Sequence, residues 1–222
     1  MASPGSQKAE PGRPAQRSDA RTNRARIIAA ARASFADRGI DVPLSAIARR
    51  AGVGPATLYR HFATRDALLT EVFAGQLAAC DALLDEALQD PDPWRGFCVL
   101  LHSVAMLQVE ERAFTDALLT RLAGTEGHER LLGAAEEKLR RLVVKTQRAG
   151  QLRRDFDPGD VTALIAANGG LVHTLGDEAP AAIRRQLAYL LQAFRADSPG
   201  ADAAGPLPPV PQIGLGHLHR CR

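Results

Sequence analysis

Residues 44–62 read LSAIARRAGVGPATLYRHF and contain two short helical patterns that meet at a glycine. Apolar residues recur at helical spacing from Leu44 to Ala51, so one face of the first helix can pack. Gly52 follows directly, where a residue with positive φ ends a helix. Pro55 suits the first position of a second helix. The stretch therefore predicts a helix-turn-helix with a turn of three residues.

The second helix of this motif has an apolar inner side and a polar outer side. Leu58 and Phe62 face inward at a spacing of four residues. The outer side carries Pro55, Ala56, Thr57, Tyr59, Arg60 and His61. Hydroxyls, a phenol and cations in the first turns of a helix are typical of one that enters the major groove of DNA.

This part of the chain resembles the TetR family of bacterial transcriptional regulators over about 45 residues. The resemblance begins at the segment RARIIAAARASF, residues 24–35, with Gly39, and ends at RDALL, residues 65–69. Between these segments the matching residues are Ile47-Ala48, Ala51-Gly52-Val53, Thr57-Leu58-Tyr59 and His61-Phe62. Two residues depart from the family pattern: Gly54 replaces a common serine cap, and Leu44 replaces a common threonine.

The resemblance implies a double-stranded DNA partner with a palindromic operator. It implies phosphate contacts by Tyr59, His61 and Arg65. The residues it places nearest the bases are Ser45, Pro55, Ala56, Thr57 and Arg60.

Charge is distributed unevenly along the chain. Residues 1–65 contain 12 Lys/Arg and 4 Asp/Glu, a net charge of +8, whereas the remaining residues contain 16 and 21, a net charge of −5. The basic end coincides with the helix-turn-helix, as expected for a DNA-binding domain. An acidic remainder would be repelled by phosphate, which favours one orientation of the protein on a duplex.

The sequence predicts a cytoplasmic protein. Cys80, Cys98 and Cys221 show no paired spacing, which indicates a reducing compartment. Residues 1–18 lack the apolar core of a secretory signal. The longest apolar-rich run, residues 97–107, is about half the length of a membrane span and contains a histidine.

Periodicity along the whole chain predicts an all-α fold with a three-helix head and a six-helix body. The head and body are joined by a single fourth helix that starts at Thr64 and runs for about 25 residues. The predicted divisions are a disordered arm over residues 1–18, a DNA-binding domain over 19–66, an effector-binding and dimerisation domain over 67–196, and a disordered tail over 197–222.

The last two predicted helices, residues 158–195, are the expected dimer interface. Asp157 and Pro158 are strong helix-start signals, and Gly169-Gly170 lies in the middle of the helix that follows. Each glycine costs about 1 kcal/mol relative to alanine. Close approach of a partner helix would offset this cost, so we expect a two-fold homodimer that matches a palindromic site.

No pattern of catalytic residues, cofactor-binding motif or structural metal site is found in the sequence. The terminal His217, His219 and Cys221 lack a fourth metal ligand. A small hydrophobic or aromatic effector is expected in the body. Its candidate contacts are Trp94, Phe97, His102, Met106, Phe114, Leu118, Asn168 and His173, each of which would otherwise be an ordinary core residue.

These observations favour a transcriptional regulator, and specifically a repressor that an effector releases from its operator. Two alternatives remain open. One is an enzyme or small-molecule carrier with a basic head, and the other is a protein that binds DNA constitutively and with little sequence preference. Palindrome-specific binding at moderate salt would separate the regulator from the last class.

Overall fold

The structure is a computed structural model that describes residues 13–120, 126–198, 207–209, 213 and 215. Within these ranges the description leaves out the side chains of residues 13–18, 116, 118–120 and 126–129. The chain divides into two compact units, Met1–Leu68 and Leu69–Arg222. Regular structure in the described part is helical apart from an isolated bridge between Leu152 and Arg195, so the predicted all-α class is confirmed.

The described residues form ten α-helices, followed or joined by short turns. Their bounds are α1 Arg13–Arg38, α2 Leu44–Ala51, α3 Pro55–His61, α4 Arg65–Val72, α5 Ala74–Gln89, α6 Pro93–Glu110, α7 Arg112–Thr120, α8 Glu126–Arg148, α9 Pro158–Leu175 and α10 Ala179–Phe194. A single 3-10 turn, Gly176–Glu178, connects α9 to α10.

In the first unit, α1, α2 and α3 enclose a small apolar core. Its residues with at most 2% of their surface exposed include Ile27, Phe35, Ile47, Leu58 and Phe62. These are the residues that helical periodicity places on the inner faces. The motif therefore rests on α1 as a rigid support.

The start of α1 corrects the predicted boundary of the N-terminal arm. The sequence predicts a disordered arm over residues 1–18, but α1 begins at Arg13. Pro14 is compatible with this start because it lies in the first helical turn, where the missing N–H has no intrahelical partner to lose. The rest of the predicted arm, residues 1–12, lies outside the described residues.

The predicted long fourth helix is wrong as a single element, because it is interrupted at Phe73. The resulting helices α4 and α5 are bent by 54° relative to each other. Phe73 has φ −102° and ψ 10°, outside the helical range, and its ring is buried. Its N–H still bonds to the carbonyl of Leu69 at 3.0 Å, so the bend is a local break without loss of this hydrogen bond.

The second unit is built around α6, which packs against α5, α7, α8, α9 and α10. Its core contains Phe97, Leu101, Leu142 and Ile183, each at most 3% exposed. Gly96 lets α6 approach α5 closely, because a Cβ there would lie 2.5 Å from the carbonyl oxygen of Ala87. Small size, rather than backbone freedom, is what this position requires.

Aspartate side chains cap the starts of α6 and α9, and the start predicted at Asp157 and Pro158 is confirmed. The Asp92 carboxylate accepts a hydrogen bond from the N–H of Trp94 at 3.1 Å, and Pro93, between them, occupies the first position of α6. The Asp157 carboxylate accepts from the N–H of Gly159 at 2.7 Å, and the Asp160 carboxylate accepts from the N–H of Asp157 at 2.9 Å. These bonds fix the starts of α6 and α9.

Most of the predicted C-terminal tail lies outside the described residues. Of its described residues, Leu215 packs against the core of the second unit, so the tail is not free of the body at this point. Among the helices described, none alone has the length and apolar character to cross a membrane. The bent pair α4 and α5 meets that test jointly, by length and composition only.

Candidate DNA interface and ligand cavity

The turn between α2 and α3 is set by the backbone of Gly52. This residue has φ 64° and ψ 34°, and its N–H donates to the carbonyl of Arg49 at 3.1 Å. The N–H of Val53 donates to the carbonyl of Ala48 at 3.0 Å. The two bonds form the left-handed cap that ends α2 and directs the chain into α3. The predicted three-residue turn is therefore present at residues 52–54.

The outer side of α3 is open to solvent where the sequence predicted base and phosphate contacts. Tyr59 has 54% of its surface exposed. The guanidinium of Arg60 donates through Nη2 to Oγ1 of Thr57 at 2.9 Å. Of the remaining predicted contacts, Ser45, Pro55 and Ala56 are exposed and His61 is half-buried. The structure thus brings the predicted α3 residues onto one accessible helix, with Ser45 in the first turn of α2.

Arg65 has a structural contact that sequence reasoning did not foresee. Its Nη1 donates to the carbonyl oxygen of Ile40 at 2.5 Å, and its side chain is half-buried. This bond ties the start of α4 to the segment after α1. A phosphate contact by Arg65 remains a prediction, and it would have to use the other donors of the guanidinium.

Three further arginines of the first unit form contacts that stabilise the motif. The guanidinium carbon of Arg24 lies 4.6 Å from the centre of the Phe62 ring, a cation–π contact. The Arg26 guanidinium lies against Gly52. Arg50 pairs with Asp37 at 2.6 Å. In the sequence these arginines look like an ordinary solvated helix face, so their partners were not predictable from spacing.

The predicted effector residues do not form one pocket. His102 and His173 are exposed, and Nδ1 of His102 lies 2.9 Å from the carbonyl oxygen of Cys98. The prediction that these two histidines are polar groups of an internal cavity is therefore wrong. Met106 is half-buried beside Arg184, and the side chain of Leu118 lies outside the described part.

Trp94 and Phe97 belong to an aromatic core cluster instead of a cavity wall. The ring centres of Trp94 and Phe97 are 5.8 Å apart, those of Phe97 and Phe156 are 5.5 Å apart, and those of Phe156 and Phe194 are 4.8 Å apart. Such offset and edge-to-face contacts are typical of close aromatic packing. This cluster joins the starts of α6 and α9 to the end of α10.

A cavity of about 120 Å³ lies in the second unit between α5, α6, α7, α8 and α9. Phe114 is the predicted effector residue that lines it. Its other described lining residues are Leu77, Cys80, Asp81, Leu84, Leu100, Leu101, Val104, Leu131, Leu132, Ala135, Leu139, Val161, Ile165 and Leu215. A hydrophobic cavity of this size is comparable to one of about 150 Å³ that takes up benzene in another protein.

The charged group at this cavity is part of a three-residue ion cluster. Nζ of Lys138 lies 2.7 Å from Oδ1 of Asp81 and 2.8 Å from Oδ2 of Asp85. Hydrogen bonds to Asp81 and then to Asp85 raise the pKa of Lys138 above its ordinary value. Lys138 therefore stays charged and holds α8 against α5.

Asn168 lies near this region in a buried amide pair. Its Nδ2 donates to Oε1 of Gln108 at 3.3 Å, and Nε2 of Gln108 donates to the carbonyl of Ile165 at 2.9 Å. Oδ1 of Asn168 has no hydrogen-bond partner among the described groups. The pair links α6 to α9, and Asn168 does not belong to the described cavity lining.

Within the described residues, no cluster of three potential metal ligands occurs. The terminal residues His217, His219 and Cys221 lie outside the described part.

Comparison with known families settles what the helix-turn-helix is. Residues 27–72 match the family described as bacterial regulatory proteins, tetR family. The chain therefore carries a DNA-binding domain of the tetR-family type at residues 27–72. This match supports a DNA-binding transcriptional regulator, the function that its family description names.

Several solved structures share the fold, and one of them, CprB, is described as a TetR family protein. CprB from S. coelicolor A3(2) is 24% identical, with a TM-score of 0.57 over 77% of this chain and 86% of that one. The ketosteroid transcriptional regulator KstR2 of Mycobacterium tuberculosis is 21% identical, with a TM-score of 0.59 over 78% and 94%. A gamma-butyrolactone receptor described as ArpA-like is 23% identical, with a TM-score of 0.54 over 79% and 87%. No curated protein matches the sequence.

Proposed function

We propose that this tetR-family regulator is a homodimeric repressor that leaves a palindromic operator when a small hydrophobic molecule enters the cavity of its second unit. The observation that carries the effector part is the cavity itself, because 13 of its 15 described lining residues are apolar. In a protein core, apolar space is normally filled by side chains, and space that is left unfilled lowers the stability of the fold. The binding of a regulatory ligand would account for this unfilled space.

The DNA contacts in this proposal are those of the exposed face of α3. Tyr59 and Arg60 are accessible without any change in the first unit. Arg60 and Thr57 are already joined by a hydrogen bond, which preorganises the guanidinium. A guanidinium reads guanine in the major groove through two donors, so Arg60 supplies sequence preference, while the Tyr59 hydroxyl holds a phosphate.

The dimer in this proposal forms through α9 and α10. On α9 the side chains of Ala163, Ala166 and Ala167 are exposed, as is Gly170, and a Cβ at Gly170 would meet no atom within 4 Å. Small residues at this spacing let another helix approach closely. On α10, Tyr189 has 58% of its surface exposed. A two-fold dimer of this kind would present two α3 helices to two half-sites one helical turn apart, about 34 Å.

Two ligand names among the structural neighbours agree with an apolar effector. One neighbour is titled a gamma-butyrolactone receptor and another a ketosteroid transcriptional regulator. A ketosteroid is largely hydrocarbon, and a gamma-butyrolactone is a small uncharged ester ring. The protein would work in the cytoplasm, where the chromosome is accessible to it.

The test is reciprocal linkage between ligand and DNA. A compound that binds the cavity and releases the operator must bind the free protein more tightly than the DNA complex by the same factor, typically about 5- to 150-fold. Fluorescence anisotropy of a labelled operator and calorimetry of the ligand give the two factors. Ligands that occupy the cavity and leave operator affinity unchanged would replace this proposal with constitutive DNA binding.

A further inference from the structure

The walls of the cavity offer a ligand almost no polar partner. Cys80 and Asp81, on adjacent positions of α5, are the lining residues described that are not hydrocarbon. Burial raises the pKa of the Cys80 thiol to about 11, so this group is neutral near pH 7. Asp81 is thus the single charged group among the described lining residues.

Asp81 brings a negative charge that the described members of its ion cluster do not fully balance. One ammonium, Lys138, is shared by Asp81 at 2.7 Å and Asp85 at 2.8 Å. Two carboxylates and one ammonium have a net charge of −1. Asp81 bonds to Lys138 through Oδ1, and nearly half of its side chain is exposed, which leaves Oδ2 able to accept a hydrogen bond.

Because of these features, the cavity should bind acidic ligands more weakly than non-acidic ligands. A ligand carboxylate would lose its water, meet no cation among the described lining groups, and lie close to the excess negative charge of the ion cluster. A hydroxyl or an amine can instead donate to Oδ2 of Asp81 while its hydrocarbon part fills the apolar space. Lys138 does not line the cavity, and its single positive charge is already opposed by two carboxylates, so it offers a ligand acid little compensation.

We propose that the cavity selects an uncharged or basic lipophilic molecule with a hydrogen-bond donor, held at Asp81, and excludes lipophilic acids. This inference rests on the proposed effector role of the same cavity. The volume of about 120 Å³ fits one ring or a short alkyl chain, with the polar end of the ligand at α5.

The experiment uses the full-length protein and three ligands with the same short alkyl chain: pentanol, pentylamine and pentanoate. Each displaces fluorobenzene, a neutral one-ring probe whose fluorine NMR signal reports binding. At pH 7 we expect pentanoate to compete about tenfold more weakly than pentanol and pentylamine, because its carboxylate would lie close to the carboxylates of Asp81 and Asp85. Asp81→Asn should strengthen the binding of pentanoate and weaken that of pentylamine. Asp197→Asn, which removes an acid whose partner is Arg195, should change neither.

A cavity-filling variant distinguishes failure of the cavity as an effector site from failure of the selection against acids. Val104→Phe narrows the space without altering the charges, and its fold is checked by circular dichroism. Fluorobenzene binding that is absent in the wild type, or unaffected by Val104→Phe, would overturn the cavity as an effector site. Fluorobenzene binding that Val104→Phe removes, together with pentanoate competing as well as pentanol, would overturn only the selection against acids.

Discussion

The ring centre of Phe73 lies 5.6 Å from the ring centre of Phe114, with an angle of 49° between their planes. Phe73 is the residue at which α4 ends and α5 begins, and Phe114 lines the cavity. One aromatic contact therefore joins the cavity wall to the bend. A ligand that shifts Phe114 would act directly on the residue that sets the bend.

Replacing either ring with leucine tests this contact. Phe73→Leu and Phe114→Leu should each destabilise the protein by about 1–2 kcal/mol. In a double-mutant cycle the two changes should couple by about 0.5–1.5 kcal/mol, the value of an aromatic pair beyond its buried area. Both variants should also reduce the ligand-induced loss of operator affinity. Urea denaturation and operator titrations with and without ligand measure these effects.

The matched control is the pair Phe97 and Phe156, whose ring centres are 5.5 Å apart away from the cavity lining. Phe97→Leu should lower stability to a similar degree and leave the ligand response intact. An equal loss of response in both pairs would mean that general destabilisation, and not the Phe73–Phe114 contact, is responsible.

Gly52 and Gly54 flank the same turn and should respond differently to alanine. Gly52 has φ 64°, and an added Cβ would lie 2.5 Å from the Arg26 guanidinium, so Gly52→Ala should cost about 1–2 kcal/mol. Gly54 has φ −70° and open space around it, so Gly54→Ala should change stability by less than about 0.5 kcal/mol. Thermal unfolding compares them. Equal effects would show that the left-handed cap does not control the motif.

The dimer prediction compares two exposed helical glycines. A Cβ added at Gly170 of α9 would meet no atom within 4 Å, so Gly170→Leu should leave the protomer folded and weaken the dimer. Gly133 of α8 is equally open, and Gly133→Leu should leave the dimer intact. Sedimentation at micromolar concentration distinguishes the two. A wild-type monomer at that concentration would exclude the proposed interface, and it would also exclude binding of a preformed dimer to a palindromic operator.

Cys80 reports on cavity occupancy through its reactivity. Burial raises the pKa of Cys80 and of Cys98 to about 11, so at pH 8 only about one thiol in a thousand is the reactive thiolate. Alkylation by iodoacetamide in a Cys221→Ser background should be slow and should accelerate about tenfold per pH unit from pH 8 to pH 10. Fluorobenzene should protect Cys80, which lines the cavity, and not Cys98. Mass spectrometry resolves the two sites, and equal protection would place the ligand elsewhere.

Much of the fold was predictable because its boundaries have local chemical signals. Gly52 and Pro55 mark the turn of the motif, and Asp157 with Pro158 marks the start of α9. These signals depend on backbone geometry and hydrogen bonds within a few residues. The break at Phe73 has no such signal, because helical periodicity continues on both sides of it and a distant contact with Phe114 accompanies it.

The cavity was harder to predict than the DNA interface. The helices α6 and α9 have apolar residues on most sides, so periodicity alone did not show that His102 and His173 face solvent. Leu77 and Leu84 on α5 look like an ordinary core stripe in the sequence. Empty space depends on how several helices pack together, and local spacing does not encode it. The α3 surface was predictable because one short helix carries it.

Among the predicted DNA contacts, Tyr59, Arg60 and Arg65 should have distinct effects. Tyr59→Ala should weaken binding to every sequence about equally, with little change in stability, because its side chain is mostly exposed. Arg60→Ala should relax preference at one position of each half-site, at a cost of about 1–3 kcal/mol for that base. Arg65→Ala should reduce the salt slope by about one if it holds a phosphate, and should also lower stability because it loses the bond to Ile40.

The most direct measurement is selection of duplexes from random DNA by the purified protein, followed by competition between the selected duplex and a scrambled one at about 150 mM salt. We expect an enriched palindrome, bound at least about a thousandfold more tightly than the scrambled duplex. Arg60→Ala should lose preference at one base of each half-site and keep the rest. Equal affinity for both duplexes, with no enriched palindrome, would contradict a sequence-specific regulator and would leave only nonspecific DNA binding.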